Sequence, residues 1–216
     1  MGDSLSATAS VRTALSFQLM LTAVRFTRKV KEIETEYAGE PFGDFFEEII
    51  SYTLSTILAS VTALESYINE IFVDRKAYFP GYNQQIIDHI WEITERKDVL
   101  EKYSFALSLK DKGKFDTSVK SYQDTKDLIK LRNALVHFKP EWSHEDGEHK
   151  KLMVRLKNKF SFSPYYQNAL SAFPNSLVGY ECAKWSLETT MNFIVKFSEM
   201  ADIPNQHEKL RARLLI

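Results

Sequence analysis

Arg132, Asn133 and His137 stand in the string Leu131-Arg132-Asn133-Ala134-Leu135-Val136-His137. The R-N-x-x-x-H spacing sets a permanent cation, an amide and an imidazole within about one and a half helical turns. Imidazole exchanges protons near neutral pH and guanidinium neutralises anionic oxygens, so these residue types suit proton transfer at a phosphate ester. An Arg followed five positions later by His arises by chance in roughly one chain in four or five of this length, and Asn directly after the Arg lowers that to about one in a hundred.

A second candidate follows the first. Residues 149–159 carry Lys150, Lys151, Arg155, Lys157 and Lys159 with no acid among them, and Phe160, Phe162, Tyr165 and Tyr166 come next. Cations beside aromatics suit single-stranded RNA, through phosphate contacts and base stacking. The alternation Leu152, Val154, Leu156 suits a solvated strand or sheet edge as well, and charge runs are usually solvated faces. His144 and His149 flank Glu145, Asp146 and Glu148, but no known ligand spacing is matched and no metal is expected. His89 and His207 are isolated, and there is neither a Gly-rich phosphate loop nor a nucleophile elbow. No cofactor is expected. The single cysteine, Cys182, excludes an internal disulfide, reads as core, and points to a reducing cytoplasm.

These residues need a frame. The chain has 216 residues, 44% of them hydrophobic, which is enough for a sizeable core, while 7 Gly and 6 Pro are too few for turn-rich β folds. A formal net charge of −1 gives no global field for nucleic acid or an anionic membrane. The spacing predicts an all-α, up-and-down helical bundle, one domain over 1–216, with a long irregular basic and aromatic insertion at 139–176 before the last helix. Helices are expected at 6–37, 44–77, 84–103, 118–138 and 177–200, with a loop at 110–114 around Gly113. The apolar run 14–24 resembles a signal-peptide core, but Ser16, Gln18 and Thr22 interrupt it and it continues in helical register into Arg25 and Arg28. No stretch reaches the roughly 20 apolar residues that span a bilayer, so no membrane partner is expected.

On the motif helix Leu128, Leu131, Leu135 and Phe138 form an apolar face, and Arg132 falls inside that arc. A guanidinium there needs a partner or a wet cleft. Glu65 is placed the same way on the second helix, with Asn69 one turn on, so a Glu65–Arg132 pair joined by Asn69 is expected. Such a pair is equally suited to fixing helix register. Ser51, Ser55 and Ala59 form a small-residue strip that would admit a partner helix, from a second subunit or from the same one.

The string 131–137 resembles the signature of HEPN domains, helical bundles in which an Arg, commonly followed by a polar residue, precedes a His by four to six residues. Residues 60–70 look like the preceding long helix of some HEPN groups; only the motif is specific. The resemblance implies a homodimer in which Arg132 and His137 of both subunits meet at the two-fold axis as a metal-independent endoribonuclease centre. Arg132 would stabilise charge on the scissile phosphate, His137 would transfer protons, and Asn133 would orient the substrate. RNA, and an antitoxin or regulatory protein, are the implied partners, in stress response, toxin–antitoxin systems or phage defence. The alternative is a HEPN-like dimer that binds nucleotides or proteins and does not cleave.

Overall fold

The computed structural model describes residues 13–142, 147–166, 173–204 and 207. The described residues form an all-α bundle. Its helices are α1 (Ser16–Glu36), α2 (Phe45–Val73), α3 (Arg75–Tyr78), α4 (Gln84–Thr94), α5 (Val99–Leu109), α6 (Lys120–Val136), α7 (Glu148–Leu156) and α8 (Tyr180–Ala201).

The periodic stretches become helices, and the differences lie at their breaks. The expected helix 44–77 ends at Val73, where Asp74 leaves helical geometry, and the short α3 follows. Arg75 donates from Nη2 to Asp88 Oδ2 at 3.0 Å, with its Nε 2.7 Å from Oδ1, and this ion pair ties α3 to α4. The expected helix 84–103 is two. Asn83 caps α4 by accepting from the Gln85 and Ile86 amides at 3.0 and 3.4 Å, and α4 stops before Glu95-Arg96-Lys97-Asp98, four charged residues with nothing to bury. The segment 139–176 contains α7, flanked by irregular chain.

α2 and α8 run through the whole core. At one end Leu64, Ile68 and Phe72 of α2 meet Tyr103 and Leu107 of α5 and Phe193 and Phe197 of α8. At the other, Ile57 and Val61 of α2 meet Leu128 and Leu131 of α6, Met153 and Leu156 of α7, and Cys182 of α8. Between them Ala59 and Ala63 pack against Met20 and Ala23 of α1 and Met191 of α8. Each fully buried Leu or Phe contributes about 1.5–3 kcal/mol. Ala59 thus faces its own subunit, whereas Ser51 is exposed and Ser55 half-buried.

The 29-residue α2 is long and apolar enough, by length and composition, to cross a bilayer, contrary to the expectation that no stretch would be; here 44% of its most apolar window is buried inside the bundle. Its neighbours include α1, α3, α5, α6 and α8.

Three helices begin without a capping side chain of their own and take one from elsewhere. Glu70 of α2 accepts from the amides of Leu15 and Ser16, both at 2.8 Å, at the start of α1. Glu34 of α1 accepts from the Tyr180 amide at 2.8 Å at the start of α8. Glu141 accepts from the amides of Glu148 and His149, at 3.2 and 3.1 Å, at the start of α7. An anion at a helix N-terminus satisfies orphan donors and meets the positive end of the dipole. Gly179 makes room for one of them: a Cβ there would sit 2.6 Å from a Glu34 carboxylate oxygen.

Candidate functional site

α6 buries Leu128 and Leu131 against the bundle. It ends at Val136, and His137 is its C-cap, its amide donating to the Asn133 carbonyl at 2.9 Å. His137 and Asn133 are exposed, as are Val136 and Phe138, so the apolar face read from the sequence stops being covered at the end of the helix. Arg132 is half-buried; its Nε is buried without a hydrogen-bond partner, and it makes no ion pair with a described residue. At about 100° per residue, His137 lies about 140° around the helix from Arg132. One subunit therefore does not bring the two onto a common face.

The expected Glu65–Arg132 pair is not formed. Glu65 faces Lys102 of α5 at 3.5 Å, and Lys102 donates to the Asn69 Oδ1 at 3.2 Å. Lys102 is only 2% exposed and its ammonium lies 5.5 Å from the centre of the Trp91 ring. Asn69 does join Glu65 in one polar cluster, around a lysine that the sequence offered no sign of, because α5 was hidden inside a helix read as continuous with α4.

The basic segment is helical. α7 buries Leu152, Met153 and Leu156, and Val154 is 59% exposed, which overturns the strand alternation. Two of its five cations serve the fold. Arg155 donates to Asp127 Oδ1 from Nε at 3.0 Å and from Nη2 at 2.5 Å. Lys159 donates to Asp124 at 2.6 Å and lies 3.1 Å from Asp127. Asp124 and Asp127 are buried on α6, and Lys120 also pairs with Asp124; buried carboxylates need such counter-charges. Partial burial pulls the Lys159 ammonium down, but its hydrogen bonds to Asp124 and Asp127 outweigh that and hold it above the ordinary lysine range. Lys151 pairs with Glu148 at 2.6 Å on the surface, and Lys150 and Lys157 are exposed.

A cleft of about 430 Å³ opens between the end of α6 and the start of α7. From α6 come Lys130, Ala134 and His137, one helical face at spacings of four and three; Arg155 of α7 contributes to the opposite wall. Lys139 and Glu141 close one end and His149 and Glu148 line the helix start. Lys130 and Lys139 make no ion pair with a described residue. Lys130 was legible as a neighbour of Ala134 and His137 on the helix, whereas Lys139 and Glu141 follow the helix end and carry no periodic signal. Arg132 is not among the residues of this cleft.

Of the residues weighed as metal ligands, His144, Glu145 and Asp146 lie outside the described residues. Among the described residues no group of three or more His, Cys, Asp or Glu is placed to hold a metal ion. Cys182 is free and fully buried, and burial pushes its thiol well above the ordinary range, so it is an inert core residue. No protein-family model, curated protein or solved structure matches this chain.

Proposed function

We propose that the protein is a metal-independent endoribonuclease of HEPN type, working as a homodimer in the cytoplasm in stress response, a toxin–antitoxin system or phage defence. The observation that carries this reading is Arg132: a half-buried guanidinium on α6 whose Nε is buried without a partner and which makes no ion pair with a described residue. Its Nη nitrogens are not enclosed, and an anion from outside the subunit can pair with the charge there. A phosphate diester supplies that anion, and Arg132 would hold its charge as it grows in the transition state. His137, exposed at the end of the same helix, would move the proton of the attacking 2′-hydroxyl or of the leaving oxygen. Asn133, also exposed, would hydrogen-bond the substrate. Because Arg132 and His137 diverge on one helix, the reading assigns the working site to two copies of α6 brought together across a two-fold axis. The same divergence favours a second reading, a HEPN-like dimer that binds a nucleotide or a protein without cleaving RNA.

Single-stranded RNA incubated in EDTA with wild type, His137→Ala and Arg132→Ala tests the first reading. Cleavage by wild type alone, with all three chains folded and dimeric by light scattering, is the expected result. Equal, null traces would leave the non-cleaving reading.

A further inference from the structure

The cleft beside His137 contains a second imidazole. His149 is 13% exposed at the side chain, and its ring stacks on Phe173 at 4.3 Å between centroids and on Phe138 at 5.3 Å, nearly parallel to both. Its Nδ1 lies 3.4 Å from Glu141 Oε2. Glu141 is itself held in place by the amides of Glu148 and His149. A carboxylate on the Nδ1 side favours a proton there and leaves Nε2 as the nitrogen that can exchange a proton with a bound molecule. The two stacked rings remove the remaining freedom of the side chain. Such a well-fixed imidazole is unusual for a surface histidine, and both His149 and His137 line the same cleft.

Resting on the ribonuclease reading above, we infer that His149 is a second catalytic residue, paired with His137 for proton transfer in the α6–α7 cleft, with Glu141 as its positioning residue. The chemistry balances within one subunit. One imidazole, neutral, takes the 2′-hydroxyl proton as the 2′-oxygen bonds to phosphorus. The P–O5′ bond breaks, and the other imidazole, protonated, gives its proton to O5′. The products are a 2′,3′-cyclic phosphate and a 5′-hydroxyl, and exchange with water resets both rings. Lys130 and Lys139, uncommitted to other described residues, would hold the phosphates on either side.

The cleft thus supplies an acid and a base without a second copy of His137, and dimerisation would then bring Arg132 of one subunit toward the phosphate held by the other. The titratable and charged groups that line the cleft with His149 are Glu148, Lys151 and Arg155 of α7, Lys130 and His137 of α6, and Lys139 and Glu141 beyond the end of α6.

The test uses the full chain and a single-stranded RNA oligonucleotide in EDTA, with kcat, KM and the pH–rate profile measured for wild type, His149→Phe and Glu141→Gln, and melting recorded for each. His149→Phe keeps a flat ring between Phe138 and Phe173 and removes the exchangeable proton. Its kcat should fall by about 10²- to 10⁴-fold with KM and melting unchanged, and one limb of the pH–rate profile should disappear. Glu141→Gln should lower kcat about tenfold and displace that limb. If wild type and His149→Phe cleave equally, His149 has no role and the Arg132–His137 reading stands. If cleavage falls only in step with the folded fraction, His149 is structural and the inference is overturned. If wild type cleaves nothing, the ribonuclease reading fails and the role of His149 fails with it.

Discussion

At the residue scale, the partner of Glu65 decides how Arg132 can be studied. Had Glu65 paired with Arg132, removing the guanidinium would have left a carboxylate exposed to burial cost, and loss of activity could not have been separated from loss of folding. Glu65 instead faces Lys102, and its side chain keeps 41% of its exposure. Arg132→Ala should therefore change stability by less than about 1 kcal/mol in chemical denaturation, because the packing lost from its half-buried stem is offset by removal of a buried, partnerless Nε. A loss beyond about 2 kcal/mol would show an internal role for Arg132. Lys102→Ala should be the damaging change, costing on the order of 2 kcal/mol through lost packing on Trp91 and an unsatisfied Asn69. The sequence placed both Glu65 and Arg132 correctly near apolar faces. Pairing, however, depends on which helix lies opposite, and a single helix's periodicity carries no information about that.

At the element scale, the three helices capped by distant carboxylates explain why their starts were hard to read. A local N-cap is visible in sequence, as Asn83 is for α4, because the cap and the capped amides are two or three residues apart. Glu34 and Tyr180 are 146 residues apart and meet only in the folded chain. Gly179→Ala tests that arrangement. The new methyl group would displace the Glu34 carboxylate, so Ala should cost about 1–2 kcal/mol in denaturant unfolding, in line with the loss of a cap. Glu34→Ala should cost the cap alone, Gly179→Ala that and the strain of a side chain at φ +158°, and the double variant no more than Gly179→Ala. Additive losses would mean that the glycine acts on its own. Burial together with that backbone hydrogen bond, which opposes it, leaves the Glu34 carboxyl above its usual range. α7 was harder still. Nine residues with Leu152, Met153 and Leu156 inward fit helical spacing, but Val154 between them copies a strand, and only burial separates the two. Its cations were legible as a run and not as a function. Lys159→Ala should lower the melting temperature by removing a counter-charge from Asp124 and Asp127, and leave the salt dependence of RNA binding unchanged. A shallower salt slope would return Lys159 to the RNA surface.

At the scale of the whole molecule, the long apolar periodicities of α2, α6 and α8 were enough to reveal an all-α bundle, because helices that share one core must each present an apolar face to it. What they could not reveal is which polar groups become enclosed, and such groups shape the pH range of the fold. His207 is 1% exposed, set against Tyr67 at 4.8 Å and Phe17 at 6.0 Å between ring centroids. Burial holds its imidazole below the usual 6.5, although the nearby Glu70 charge pulls it up. The unfolded chain then binds a proton more readily than the folded one, so stability is complete above about pH 6.5 and falls as the pH drops below it. Lys159 acts on the other side, together with the buried Cys182 thiol and the Tyr67 and Tyr103 phenols, which burial keeps protonated at pH values where the unfolded chain ionises them. The folded-state pKa of Lys159 lies above the ordinary lysine value, so the stability it contributes is complete below about pH 10.5 and is lost as pH rises through the folded value. Melting temperature followed from pH 5 to pH 11 should show a plateau with a fall at each end. His207→Phe, which keeps a ring between Tyr67 and Phe17, should flatten the acid fall and leave the alkaline one. Lys159→Met should leave the acid fall and lessen the alkaline one without removing it, on a lower plateau because Asp124 and Asp127 lose a partner. If His207→Phe leaves the acid fall as it was, or Lys159→Met leaves the alkaline one unaltered, that group does not contribute to the range.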